Sequence, residues 1–299
     1  MFVKLVATIA RFSLLVVPVA LVASVDCGGG GGGSSGTAGR GGSSGTAGSS
    51  GGGTTGTGGT STGSGGSGTA TKNCTVQAAA ATDATVLDFN GVAAGSTQAT
   101  FGGYMEGMQY GGGTYIYPNA AMAADQMGLS NTFDGMNWHI TGLVKDYSGF
   151  GLYLTSVSDL SMFGGISFDI SATFTATGAG DGGVPAASVT MSITDVAHAV
   201  DSLHTADGSM TCGTCAPTSS QYDGTCAAPS KVIALTAMSA TQTLHWTDVS
   251  GGKRPPQFTG ESPNPASIIG MAWALPWNGP GSAQYMVDIL VDNIKYITP

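Results

Sequence analysis

The residues Met286-Val-Asp-Ile-Leu-Val-Asp-Asn-Ile-Lys-Tyr-Ile297 decide the fold class. Apolar side chains alternate with their neighbours, the period of a strand that buries one face. The alternation reverses midway: Val287, Ile289 and Val291 occupy odd positions, Ile294 and Tyr296 even ones. One extra residue in a strand changes the face that follows, so the pattern predicts a β-bulge at Asp292-Asn293.

The same alternation recurs upstream at Ile166–Ile170, Val189–Ile193 and Ile269–Leu275. Shorter pieces fit it at Val86–Phe89, Met136–Thr141, Gly151–Thr155, Lys231–Thr236 and Gln242–Val249. Clusters rich in Gly, Pro or Asn separate them, Gly111-Gly-Gly113 and Trp277-Asn-Gly-Pro280 among them, and read as turns. Only Asn119–Met127 suggests helix. Many short strands with one buried face predict an antiparallel sandwich or barrel.

The chain ahead of this domain is of another kind. Met1 to Val25 carries Lys4 and Arg11 before and around an apolar run too short for a comfortable membrane span, the pattern of a signal peptide over residues 1–26. Cys27 follows. It resembles the lipobox cysteine of bacterial lipoproteins, although Ser24 and Asp26 stand where that pattern wants a Leu-like and a small residue. The rival is cleavage near Ala23 or Ser24, leaving a free thiol. Cysteine arithmetic favours lipidation: of Cys27, Cys74, Cys212, Cys215 and Cys226, removing the first leaves an even four. A diacylglycerol there would hold the chain to a membrane. Residues 28–71 are almost wholly Gly, Ser, Thr and Ala, with the repeat SSGTAG at Ser34–Gly39 and Ser43–Gly48. Such a segment reads as a flexible tether spanning roughly 35–40 Å. Residues 27–73 thus form anchor and linker, and 74–299 a single domain.

From Cys74 onward five basic residues stand against 17 acidic ones. Nucleic acid, which needs a basic surface, is excluded as a partner. For an exported chain the four remaining cysteines read as disulfides, with Cys226 bridging either Cys212 or Cys215. A redox or zinc role for Cys212-Gly-Thr-Cys215 lacks the supporting motifs.

The stretches Val86-Leu-Asp-Phe-Asn-Gly91, Tyr147-Ser-Gly-Phe-Gly-Leu-Tyr-Leu154, Leu160-Ser-Met-Phe-Gly-Gly-Ile-Ser-Phe168, the loop Cys212–Cys226 and Val287-Asp-Ile-Leu-Val-Asp-Asn-Ile294 follow one another in this order. Together they resemble the galactose-binding-like jelly rolls of bacterial surface proteins and some carbohydrate-binding modules of glycan-degrading enzymes. The resemblance implies a jelly-roll β-sandwich with a glycan on a concave sheet face. It also implies a structural calcium near the first and last strands, with Asp88 and Asp292 as ligands. The competing role for Asp292 is to accept hydrogen bonds from amides that the bulge exposes.

Parity sorts the candidate ligand groups. Trp138, Trp246 and Trp273 are in phase with apolar neighbours and belong to the core. Tyr153, His139, His245 and Asp169 are out of phase, so they point outward; if their strands share one sheet they supply ring and hydrogen-bonding groups suited to a neutral glycan. Trp277, in a turn sequence, is a further stacking candidate. Asp195, His198, Asp201, His204 and Asp207 recur at every third residue, a period of neither helix nor strand, and read as a polar loop. Glu106 and Glu261 are not placed across a cleft by any pattern, and the chain has no Gly-x-Ser-x-Gly elbow or His-Glu-x-x-His. The expectation is therefore a lipid-anchored jelly-roll β-sandwich at the cell envelope that binds polysaccharide without catalysis. The alternatives are a glycoside hydrolase or lyase on that fold, and an adhesive surface domain that contacts protein.

Overall fold

A computed structural model describes residues 73–102, 110–118, 128–178, 183–201, 212–219, 224–255, 258–277, 279 and 282–299. The expected signal peptide, Cys27, the tether, the helical Asn119–Met127, Glu106, His204 and Asp207 lie outside them.

The described residues form a two-layer antiparallel sandwich. Its strands are β1 (Asn73–Ala78), β2 (Thr85–Leu87), β3 (Thr100–Gly102), β4 (Gly111–Tyr117), β5 (Leu129–Phe133), β6 (Trp138–Val144), β7 (Gly149–Asp159), β8 (Gly165–Ala176), β9 (Ser188–Asp195), β10 (Ser230–Ala234), β11 (Ala240–His245), β12 (Gly252–Arg254), β13 (Phe258–Glu261), β14 (Ile268–Ala274) and β15 (Tyr285–Ile297). One sheet has the order β10-β9-β14-β7-β4-β3, with β1 added parallel to β7; the other has β11-β8-β15-β6-β5, with β2 added to β15. Strands β12 and β13 make a separate ribbon. The chain repeatedly crosses between the layers, from β6 to β7, β7 to β8, β8 to β9, β10 to β11 and β14 to β15, which is jelly-roll connectivity.

The core lies where the two inward faces meet. Phe150, Leu152 and Leu154 of β7 and Met271 and Trp273 of β14 face Ile166, Phe168 and Ile170 of β8, Trp138 and Ile140 of β6, and Val287, Ile289 and Val291 of β15. Aromatic rings bridge the layers: Trp138 meets Phe150 edge-on at 5.3 Å, and Phe168 meets Trp273 at 5.2 Å. Burying side chains of this size contributes roughly 1.5–3 kcal/mol each. Trp246 is buried as parity requires, but from a 3-10 turn at Trp246–Asp248 beyond the end of β11, with its indole N–H donating to the Phe163 carbonyl at 2.7 Å.

The bulge in β15 lies where the alternation breaks. Asp292 pairs with Asp169 and Lys295 with Ser167, so Asn293 and Ile294 together oppose Phe168. Asn293 adopts φ = 50°, a left-handed conformation that asparagine tolerates better than most residues. Beyond it Ile294 and Tyr296 return to the core, and β15 passes from β6 to β2 as its neighbour on that side.

Two disulfides tie the loops. Cys74 joins Cys212, and Cys215 joins Cys226, so the expected partnership of Cys226 resolves in favour of Cys215. Neighbouring Cys212 and Cys215 serve different bridges, which rules them out as a redox pair. Disulfides of this kind belong to chains that fold in oxidising surroundings. Among the described residues no helix is long and apolar enough to cross a membrane.

Candidate ligand-binding face

Strands β4 and β7 pair Gly113 with Tyr153, Tyr115 with Gly151 and Tyr117 with Gly149. All six residues lie on the outward face, because Phe150, Leu152 and Leu154 take the core. Each tyrosine opposes a glycine and covers it. A Cβ at Gly151 would come within 2.6 Å of the Tyr115 ring, one at Gly149 would run into the Tyr117 hydroxyl, and one at Gly113 would stand 2.9 Å from the Tyr153 hydroxyl. Glycine inside a strand leaves nothing to pack, and an aromatic ring from the neighbouring strand fills the gap. Gly111-Gly-Gly113 is accordingly the buried start of a strand and not the turn its composition suggests.

The rings form a continuous ridge. Tyr115 lies 6.4 Å from Tyr153 and 6.0 Å from Tyr117 between centroids, and Tyr147, just ahead of β7, lies 5.4 Å from Tyr117. Gln98 fixes one end, its Nε2 donating to the Tyr153 hydroxyl at 2.6 Å. Burial pushes the Tyr115, Tyr117 and Tyr147 phenols above their usual range, and mutual repulsion adds to this for Tyr115 and Tyr117. They stay neutral, and a neutral phenol both donates and accepts hydrogen bonds.

Beside the ridge the sheet surface is low and uncharged. On β14 the outward positions are Gly270, Ala272 and Ala274; on β9 they are Thr190, Ser192 and Thr194. Val232 and Ser230 of β10 and Thr100 of β3 continue these levels. No charged side chain stands among these residues, in a domain rich in carboxylates. The face offers aromatic rings, hydroxyls and a shallow floor of small residues.

The remaining sequence candidates lie elsewhere. Only Tyr153 belongs to the ridge. His139 and Asp169 are on the outer face of the opposite sheet, whose edge strand His245 ends, so these three share a sheet with one another and not with Tyr153. Alternation assigns a side chain to the inside or outside, but it does not say which layer a strand joins. His139 bonds Asp288 at 2.8 Å, while Asp169 accepts from Thr241 and Asn293. Trp277 is half-buried just past β14, toward the end of the sheet that carries Tyr117. Tyr115, Tyr117 and Tyr147 escaped the sequence reading. Their signal was the complementarity of Gly113-x-Tyr115-x-Tyr117 with Gly149-x-Gly151-x-Tyr153 when one is read backwards.

The carboxylates of the implied calcium corner already have partners within the protein. Asp292 spends its carboxylate on Asn293, accepting from the backbone N at 2.7 Å and from Nδ2 at 3.1 Å, and Asp88 accepts from the Asn90 amide at 3.1 Å. Among the described residues no three acidic, histidine or cysteine side chains converge as a metal set, whereas calcium takes six to eight oxygens. Burial, then the nearby charges of Asp169, Asp88 and Asp134, hold the Asp292 carboxyl above its usual range despite the Asn293 hydrogen bond. The role visible for Asp292 is to cap the bulge. In the Asp195–Asp207 run, Asp195 and His198 are buried and structural: His198 Nδ1 lies 2.7 Å from Asp195 and Nε2 lies 3.0 Å from Glu261, which Arg254 also holds at 2.9 Å.

Fold and ridge together define a β-sandwich domain with an aromatic, uncharged face. No protein-family model matches the chain, and no curated protein sequence does. Among solved structures it is similar to the family 11 carbohydrate-binding module of a cellulosomal cellulase of Clostridium thermocellum, with 15% identity, a TM-score of 0.36 and coverage of 72% of this chain and 94% of that one. The family 11 module from Clostridium thermocellum in complex with a β-1,3-1,4-mixed-linked tetrasaccharide gives 15% identity and a TM-score of 0.33, covering 71% and 92%. A family 29 carbohydrate-binding module gives 11% and 0.31, covering 67% and 91%. Overlaps this loose assign neither fold nor ligand; the sandwich stands on its own strand pairing.

Proposed function

We propose that this is an exported surface protein, held to a membrane through lipidated Cys27, whose sandwich binds a neutral polysaccharide without catalysis. The observation that carries the reading is the tyrosine ridge at Tyr147, Tyr117, Tyr115 and Tyr153 on an uncharged sheet face. Sugar rings present apolar C–H faces and hydroxyl rims, and a ridge of neutral phenols beside small residues complements both. Anionic polymers meet carboxylate repulsion elsewhere on the domain and find no cation on this face. The linker of residues 28–71, with Arg40 its only charge, lets the domain search its surroundings.

A panel of immobilised glucans, mannans, xylans and galactans, with uronate and sulfated polymers beside them, tests the proposal. Binding to a neutral polymer, lost in Tyr115→Ala, supports it; no binding to any member, or release of product, overturns it. Mass spectrometry of the mature N-terminus tests the anchor separately, since an unmodified start near Val25 removes the lipid.

A further inference from the structure

The segment that precedes the sandwich enters it at β1, an edge strand. Strand β1 lies on the sheet's edge and pairs with β7 only through Asn73, Val76, Gln77 and Ala78, with a register break after Asn73. Most of its side chains are exposed, Val76 by 53%. Edge strands with little buried area open first. Tension applied through residues 28–71 would peel β1, then β2, β3 and β4, and β4 carries Tyr115 and Tyr117.

The covalent topology interrupts that sequence. Cys74 is the second residue of β1, and its disulfide leads to Cys212. Cys212 is buried in a small cluster with Val157 of β7, Ile269 of β14 and Ala199. Strands β7 and β14 are neighbours in the middle of the sheet. The loop behind Cys212 is pinned by Thr214 N donating to Val196 O and Cys215 N to Ala199 O, both at 2.9 Å, and closed by Cys215–Cys226.

We infer that Cys74–Cys212 is a force clamp: load arriving from the N-terminal segment bypasses β1 and enters the domain at Cys212, which packs against β7 and β14 at the centre of the sheet. Every residue of the tyrosine ridge falls inside the loop of 138 residues that this bridge closes. The inference rests on residues 28–71 serving as a tether, and gains its purpose from the proposed glycan site, but the clamp is testable without any glycan.

The full chain is stretched in optical tweezers between handles on its N-terminal segment and its C-terminus, first oxidised and then with reductant added to the folded molecule. Oxidised molecules should show no low-force step at the N-terminal side. Their full extension should fall short by roughly 450–500 Å, the length of the 138 locked residues. Reduction should add an early low-force release of about 120–130 Å as the strands before β4 peel away. The double variant Cys74→Ser/Cys212→Ser should show the same release, and Cys215→Ser/Cys226→Ser should not. A reduced chain with no early release, or a release that follows loss of Cys215–Cys226 instead, overturns the clamp.

Discussion

The ring of Tyr115 lies across Gly151, its cross-strand partner, so closely that a Cβ there would stand 2.6 Å from both Cζ and Oη. Gly151 is therefore part of the ridge although it offers no side chain. In Gly151→Ala the methyl also meets the Met271 carbonyl, a backbone atom that cannot rotate away. We expect a loss of roughly 1–3 kcal/mol in stability, read by denaturant unfolding, together with weaker glycan binding as the ring is lifted. Unchanged stability would show that the ring does not lie on the glycine.

Truncating the ridge should separate ring from hydroxyl. Tyr115→Ala and Tyr117→Ala are each expected to weaken binding to the glycan found in the panel by about 10-fold or more, which corresponds to roughly 1.4 kcal/mol. Tyr→Phe at the same positions should keep the ring's share and lose only the hydrogen bond. His139→Ala, on the other sheet, should leave affinity unchanged. Calorimetry measures all of these, and equal losses at His139 and Tyr115 would move the site off this face.

The alternation of β15 exposed both the fold and the bulge, because one bulged residue reverses parity and parity is visible in sequence. Core residues such as Trp138 and Trp273 were legible for the same reason. The site was legible only at Tyr153. Two causes hid the rest. Glycine signals a turn locally, whereas Gly112 and Gly113 stand in a strand because Phe101 and Tyr153 occupy the space of their missing side chains. And His139 and Tyr153 share the same outward parity in different layers, a distinction that strand order alone supplies.

Asp292 sets a pH dependence with a definite sign. Its folded-state carboxyl is raised above the ordinary range, so the neutral form is favoured by folding. That contribution is present in acid and is lost as pH rises through the raised value, leaving the cost of a partly buried charge, and then repulsion from Asp169, Asp88 and Asp134, at neutrality. Asp292→Asn should raise the Tm at pH 7 by about 1–3 °C, since the site is partly exposed and the repulsion is screened. The gain should shrink as pH falls below the carboxylate range. Millimolar calcium should leave the wild-type Tm unchanged; a rise abolished by Asp292→Asn would restore the calcium site at Asp88 and Asp292.

His198 should prove structural. It is 1% exposed, between the fully buried Asp195 and Glu261, and Asp195 also accepts from the Asn264 backbone at 2.6 Å. Removing the imidazole leaves the buried Asp195 carboxyl without one of its hydrogen-bond partners, at a cost of about 1–3 kcal/mol. His198→Ala should be destabilised to that extent in urea, with glycan affinity at the ridge unchanged under native conditions. A variant of wild-type stability would show that the set is dispensable.

The bulged strand has a consequence in time. Strand β15 sits between β8 and β6 at the centre of its sheet and, past the bulge, also pairs with β2, yet it is synthesised after every other strand of the sandwich. Until it emerges, β8 and β6 have no common neighbour, and the apolar faces that meet in the core lack their middle. The core between β8 and β6 therefore closes only when this strand is laid between partners made before it.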